Sequence, residues 1–512
     1  MLKLIGKKIE RMYRMSPQSL DKFLIESCDK YPAKTAVISS NQSLSYQELL
    51  EKGQALGRMI RDLGVEPGSC VGYILPKDHE LLIGIYGIIF SGCIFFPIDP
   101  YQPTARLEQV LEQTRPQALI CPPESFESLR KLKYCPSHQR IILTRKISGS
   151  PQPAMQDISC YLSSKASLPQ LSAEDPVYLN FTSGTTGMPK GAVTTHANIF
   201  YNTISSIQAL SLQSDDIHMC MFPPYVHPHD IFARPIYLGG SMVLVDSVQP
   251  KTIASAIANN RVTAFMAVGS IYETLVRLRD LQSRDLGSLK LAESGGMYVS
   301  STLNQAFKDK AGVGITPVWG STETTGIALA NPVGEDFPLK SMGRPCPSYE
   351  VQILDQDGHE VEPYQTGEMV VSGPGVCAGY LHLTQETAKY YRQGVFYTQD
   401  LAYKDEQGYF YFRSRKTGML KVGGMRVYPA EVEEVLRSFP HIDEVVVTRE
   451  EEELHGEVPK ALIVSKNGHN ISKNELRKYC SRFLHPCKIP RIYEFRSELP
   501  RTRGGKIDMS AI

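Results

Sequence analysis

The segment YLNFTSGTTGMPKGAVTTHANI, residues 178–199, concentrates groups that could do chemistry. From Thr182 to Gly191 it holds three glycines and four hydroxyl residues, with no charge until Lys190. Glycine lets backbone N–H groups turn toward an anion and approach it closely, and the hydroxyls add donors. Lys190 adds a positive point charge at the end of the loop. Thr182, Ser183, Gly184, Thr185, Thr186, Gly187 and Lys190 therefore read as a phosphate grip. The spacing is not that of the Walker loop, which needs G-x-x-x-x-G-K-[ST]. Here Gly184, Gly187 and Lys190 stand three apart, with Pro189 before the lysine. A Gly/Thr/Ser-rich surface linker is the other reading. Strand-like VYLNF before the loop and apolar GAV after it argue against a solvated linker.

Such a loop needs a large scaffold. The chain has 512 residues, more than one ordinary core can organise, so at least two domains are expected. A hydrophobic fraction of 42% and a charged fraction of 21% belong to a soluble globular protein. The net charge of +1 gives no field that favours nucleic acid or an anionic membrane. The eleven cysteines are scattered, odd in number and form no C-x-x-C. That argues against a disulfide framework or a zinc site, and for a reducing, cytoplasmic compartment. The basic N-terminus MLKLIGKKIERMYRM lacks the apolar run and cleavage site of a signal peptide. LLIGIYGIIFSGCIFF (81–96) falls short of the roughly 18 apolar residues of a span and reads as a buried helix entering a buried strand.

Up to about residue 410, apolar strand-like runs alternate with helical patterns. TAVISS (35–40), CVGYIL (70–75), CIFFPI (93–98), ALIC (118–121), GSMVLVD (240–246) and VTAFMAV (262–268) are the strands. SYQELLEKGQALGRMIRDLG (45–64) and TARLEQVLEQTR (104–115) are helices between them. This alternation predicts an α/β architecture with parallel-rich sheets flanked by helices. The last part differs. A helix over 428–439, a strand over 442–450, a strand over 460–465, a helix over 472–484 and a strand over 491–496 predict a small α+β domain. The domains are expected at 1–415 and 416–512.

FTSGTTGMPKGAV closely resembles the phosphate loop of the adenylate-forming superfamily, which includes acyl- and aryl-CoA ligases, adenylation domains of nonribosomal peptide synthetases, and luciferases. VWGSTETTG (318–326) resembles that family's aromatic-G-x-T-E segment. The resemblance implies that Thr322 contacts a nucleotide phosphate and that Glu323 helps hold Mg²⁺, an ion that requires oxygen ligands. Trp319 stands where the family usually has tyrosine beside adenine, followed by Gly320 and Ser321. ESGGMYVS (293–300) resembles the segment whose glycines, here Gly295 and Gly296, line the adenine and substrate pockets. FYTQDLAYKDEQGYFYFRSRKTG (396–418) resembles the ribose-binding segment, with Asp400 and Arg415 on the sugar. Gln399 replaces the usual glycine before that aspartate. KVGGMRVYPAEVE (421–433) resembles the start of the family's small, mobile C-terminal domain, and LPRTRGGKID (499–508) resembles the segment bearing its catalytic lysine, here Lys506. With LSYQEL (44–49) and FFPIDPYQPTARL (95–107), the resemblance runs from about residue 20 to 508.

The resemblance implies activation of a carboxylate by ATP, release of pyrophosphate, and transfer of the acyl group to a pantetheine thiol. Mg²⁺ and the loop would neutralise the triphosphate while Lys506 meets charge on the acyl and phosphate oxygens. It also implies a hinge at Thr417, where the family has Asp or Lys, and close passage of the pantetheine arm by Gly423 and Gly424. For the acid pocket, PPYVHPHDIFARP (223–235) offers His227, Asp230 and Arg234. Asp230 could meet an ammonium and Arg234 a second carboxylate, or the two could form a structural ion pair. An amino acid or related small acid is expected. FPIDPYQPTARL and GGKID look more like peptide synthetases, and the chain stops six residues after Lys506. Those features favour a separate carrier protein of secondary metabolism as acceptor. Free CoA and a non-catalytic nucleotide-binding scaffold are the alternatives.

Overall fold

The computed structural model describes residues 16–512 apart from 41, 150, 163, 183–188, 227–228, 279–280, 282, 296–298, 339, 417, 423–424, 453–455 and 503–506. Of the residues singled out above, Ser183, Gly184, Thr185, Thr186, Gly187, His227, Gly296, Thr417, Gly423, Gly424 and Lys506 lie outside the described residues, as does the side chain of Thr182. The chain divides into two compact units. One comprises Met1–Glu350 and Val371–Phe396, the other Val351–Val370 and Tyr397–Ile512.

The large unit is α/β with parallel-rich sheets. Among the described residues, one sheet runs in the order Ile141–Leu143, Ala118–Cys121, Cys70–Tyr73, Ile94–Pro97, Pro176–Thr182 and Lys190–Thr195. Its pairs are parallel except the last, which is antiparallel. A second sheet has a parallel centre formed by Ile315–Ser321, Leu291–Gly295, Ala264–Ala267, Ile217–Cys220, Ser241–Val243 and Thr35–Ile38. Antiparallel strands Gly326–Ala330 and Ser43–Ser45 flank it. Parallel strands buried on both faces need continuous apolar runs, which is what the sequence supplies.

Helices cover these sheets. Tyr46–Asp62 begins at a capping box between Ser45 and Glu48, which satisfies two otherwise orphaned donors. The apolar segment read as helix-then-strand is helix His79–Phe90 followed by strand Ile94–Pro97. A side chain at Gly87 would put Cβ 2.6 Å from Leu56, so glycine lets the two helices approach. Among the described residues, no helix is long and apolar enough to cross a membrane.

The small unit is α+β. Its sheet orders Met425–Val427, Leu420–Val422, Gly456–Ser465 and Ile442–Glu452, with Ile492–Arg496 parallel on Gly456–Ser465. Helices Pro429–Arg437 and Lys473–Cys480 bury Val432, Leu436 and Leu476 against Val445, Ile463 and Tyr493. Residues flanking the Lys506 segment are anchored here. Arg501 and Ile507 form an antiparallel bridge, and Arg501 pairs with Glu444 at 2.7 Å.

Two histidines of the large unit are buried in the neutral form. His196 Nδ1 accepts the Leu20 amide at 3.0 Å, and burial takes its pKa down to about 4. Burial, reinforced by Arg234, takes His218 down to about 4 as well. The unfolded chain protonates these rings near pH 6.5, so stability is full above that pH and falls as pH drops toward 4. Each ring contributes on the order of 3 kcal/mol to that loss. Urea midpoints measured from pH 7 to 5 should fall, and His196→Asn, which keeps an acceptor but takes no proton, should make the decline shallower. An unchanged slope in His196→Asn would remove His196 from this account.

Candidate active site

Several sequence-selected residues of the large unit sit at the carboxyl ends of strands. Thr182 ends Pro176–Thr182, Gly295 ends Leu291–Gly295, and Trp319, Gly320 and Ser321 end Ile315–Ser321. Open α/β sheets bind ligands at this edge, where the loops are free of the sheet.

Gly320 is there for a close backbone approach. A Cβ would lie 2.3 Å from the Gly326 carbonyl oxygen. The turn between them carries Thr322 and Glu323. Ser321 and Thr324 close it, with the Ser321 amide donating to Thr324 Oγ1 at 2.9 Å and Thr324 Oγ1 donating to the Gly326 carbonyl at 2.6 Å. Thr325 takes φ +60, a conformation that a β-branched residue rarely adopts, so the turn stores strain. Asn180 Nδ2 lies 3.4 Å from Thr322 Oγ1, which links this turn to the strand leading into the phosphate loop. Tyr380 Oη donates to Glu323 Oε1 at 2.7 Å, and the Cys377 amide donates to the Glu323 carbonyl at 2.9 Å.

Lys190 is 4% exposed and already paired. Its Nζ lies 2.5 Å from Glu386 Oε2 and 4.3 Å from the centre of the Tyr390 ring. Burial works against its charge, but Glu386 and Tyr390 outweigh burial and raise its pKa. A phosphate reaching Lys190 would share it with Glu386. Tyr380 and Glu386 escaped the sequence reading. Their segment, GYLHLTQET, is distant in sequence and has no spacing that announces a site.

The acid-pocket candidates form a buried charge cluster. Arg234 Nη2 is 2.6 Å from Asp230 Oδ1, and Arg234 Nη1 donates to Glu293 Oε2 at 3.0 Å. All three side chains are at least 96% buried. Of the readings left open by sequence, the structural ion pair is the arrangement seen, with Glu293 as a third member. His229 lies 3.2 Å from Asp230 and packs on Gly326, where a Cβ would come within 2.4 Å of its ring. Burial raises the Glu293 carboxyl above its usual range, opposed by Arg234. A signal for Glu293 was present in the sequence. It is the only charge in the otherwise apolar or small strand LAESG.

In the small unit, Asp400 and Arg415 are brought together. They are register partners on adjacent antiparallel strands, with Arg415 Nε 2.7 Å from Asp400 Oδ1. Gln399 keeps the backbone that glycine would favour. It sits at φ +63, its carbonyl accepts the Lys416 amide at 2.7 Å, and its side chain donates to Glu368 at 2.8 Å.

Removing Arg234 alone would leave two buried carboxylates uncompensated. Arg234→Leu should cost about 3–5 kcal/mol in urea unfolding. The triple Asp230→Asn, Arg234→Met, Glu293→Leu, which leaves no charge, should recover most of that. Equal stability of the wild type and Arg234→Leu would contradict the burial argument.

Comparison with known proteins identifies the family. Residues 24–381 match the family model for AMP-binding enzymes, and residues 431–506 match its C-terminal domain. The long-chain-fatty-acid–CoA ligase of Bacillus subtilis (strain 168) is 30% identical, covering 96% of this chain and 93% of that protein. A feruloyl-CoA synthase from an Amycolatopsis species is 29% identical, over 96% and 98% of the two chains. Among solved structures, the anthranilate CoA ligase AuaEII in complex with anthranoyl-AMP superposes with a TM-score of 0.87 at 26% identity, covering 97% of each chain. ATP-bound MatB from Rhodopseudomonas palustris shares the fold, with a TM-score of 0.87 at 23% identity over 96% and 98%. The chain belongs to the AMP-binding enzymes of the adenylate-forming superfamily and is an AMP-forming acid–thiol ligase.

Proposed function

We propose that this enzyme is an acyl- or aryl-CoA ligase that activates a small carboxylic acid with ATP and passes the acyl group to free CoA. The observation that carries this reading is the full-length similarity to proteins named as CoA ligases, on both units of the chain. The carrier protein expected from FPIDPYQPTARL and GGKID has no support among those relatives.

The division of labour follows the resemblance, residue by residue. Thr182 to Gly187 and Lys190 take the phosphates, Thr322 adds a hydroxyl donor, and Gly295, Gly296, Trp319, Gly320 and Ser321 border the adenine. Asp400 and Arg415 take the ribose. Lys506 meets the charge that builds on the acyl and phosphate oxygens. His227, Asp230 and Arg234 serve the acid side, Gly423 and Gly424 the pantetheine arm, and Thr417 the hinge between domains 1–415 and 416–512. Glu323 presents a single carboxylate, one oxygen of which is fixed by Tyr380. One carboxylate fits Mg²⁺, which binds through few protein ligands plus substrate phosphates. When bound, that ion would neutralise phosphate charge. The residues themselves hold the nucleotide in register and place its α-phosphate within reach of the acid, which is ionised and needs no general base. Eleven cysteines with no disulfide among them support a reducing, cytoplasmic setting.

Lys506→Ala should lower acid-dependent ATP–pyrophosphate exchange by about 100-fold or more while ATP still binds. Undiminished exchange would remove Lys506 from the reaction. Thioester formation should proceed with free CoA. Transfer only to a carrier protein would restore the earlier expectation, and no acid-dependent exchange at all would favour a scaffold.

A further inference from the structure

The strand Leu291–Gly295 points alternate residues to one face, so Glu293 lies beneath Gly295. The space above Gly295 is bordered by Phe222, Met266 and Val318, whose side chains would lie 3.7–3.9 Å from a Cβ placed there. Met266 also reaches the charge cluster, with its sulfur 3.5 Å from Arg234 Nη2. A small cavity lined by His218, Asp230, Arg234, Met266 and Glu293 continues along the same face. It has room for about one water molecule.

Among the described residues, Glu293 and Arg234 each have one polar atom without a hydrogen-bond partner, as does His218 Nε2 in the cavity wall. Glu293 Oε1 is a buried acceptor and Arg234 Nε a buried donor. Buried polar groups are almost always satisfied, so these two point to something that fills both roles. An ammonium only donates, and a carboxylate only accepts and would face Asp230 and Glu293. A hydroxyl both donates and accepts.

We propose that Glu293 and Arg234 close the inner end of the acid pocket and select a short carboxylic acid that carries a hydroxyl group. The selection rests on the acid-ligase reading and adds a substrate class to it. A hydroxyl passing Met266 replaces the missing partners. Met266 is unbranched and flexible, so it can move aside to admit it. An apolar tail of the same length leaves both atoms unsatisfied and adds contact with buried charge. A long unbranched tail finds no room past the cluster. Glu293 thereby becomes a specificity residue, on a strand that already delivers Gly295 to the nucleotide side.

The test is ATP–pyrophosphate exchange by the full chain on matched pairs: 4-hydroxybutyrate and butyrate, 6-hydroxyhexanoate and hexanoate, 4-hydroxybenzoate and benzoate, with palmitate alongside. In at least one pair the hydroxy acid should lead by about 100-fold or more in kcat/KM, because a site built to hydrogen-bond a hydroxyl rejects the analogue lacking it. Palmitate should give no exchange. The triple Asp230→Asn, Arg234→Met, Glu293→Leu should reduce the preference to less than about tenfold, the range open to an apolar pocket, with KM for ATP unchanged. Glu293→Gln, which preserves volume, should raise KM for the hydroxy acid alone. Equal rates within every pair, turnover of palmitate, or a triple variant that keeps the preference each overturn the selection while leaving the ligase reading intact. Absence of exchange with every acid overturns both.

Discussion

The guanidinium of Arg234 lies between two carboxylates inside an apolar sheet–helix interface, and the surrounding part of the large unit is organised around that contact. Asp230 and Arg234 come from the short helices His229–Phe232 and Arg234–Leu238, which are too short to hold a position by their own hydrogen bonds. Glu293 comes from the sheet. The ion cluster therefore pins two weak helices to a rigid strand. His229, next to Asp230, extends the same fixation to Gly326 and so to the turn that carries Thr322 and Glu323. A buried ionic cluster is costly to desolvate, and an apolar filling of similar volume would hold the helices as well or better. Retaining charge at that depth is physically more consistent with recognition than with stability.

The turn that carries Thr322 and Glu323 is organised differently. There the constraint is backbone approach. Gly320 and Gly326 bring adjacent strands closer than any side chain allows, and Thr325 accepts a left-handed conformation to complete the turn. Tyr380 then fixes one oxygen of Glu323, while Glu386 holds Lys190 a short distance away on the same stretch of chain. Glu323 and Lys190 are thus both positioned by one segment, residues 380–390.

The fold was legible where burial is complete. Strands such as ALIC and VTAFMAV are apolar on both faces, a pattern that only a covered parallel sheet explains, and Ser45 with Glu48 marks the start of its helix. The candidate site was marked in the sequence only where residue type is dictated by local backbone, as at Gly320, where a Cβ would meet the Gly326 carbonyl. Partners supplied by distant segments were not. Nothing in the spacing of Tyr380 or Glu386 connects them to Glu323 or Lys190, because the contact is made by the tertiary fold. Asp230 and Arg234 illustrate the intermediate case. The sequence left ligand binding and ion pairing open for them, since a four-residue separation across two short consecutive helices brings them together whichever role they serve.

Gln399 shows how a departure from a motif is absorbed. The position requires a left-handed backbone, and a residue with a side chain there is strained by roughly 1–2 kcal/mol relative to glycine. The structure keeps the conformation, because the Gln399 carbonyl receives the Lys416 amide and its side-chain amide donates to Glu368. Lys416 in turn pairs with Glu368 at 2.8 Å. These contacts tie the two strands together on either side of Asp400 and Arg415, so that pair keeps its register even though glycine is absent. At Gln399 the left-handed backbone is thus kept by a set of polar contacts rather than by the freedom of glycine.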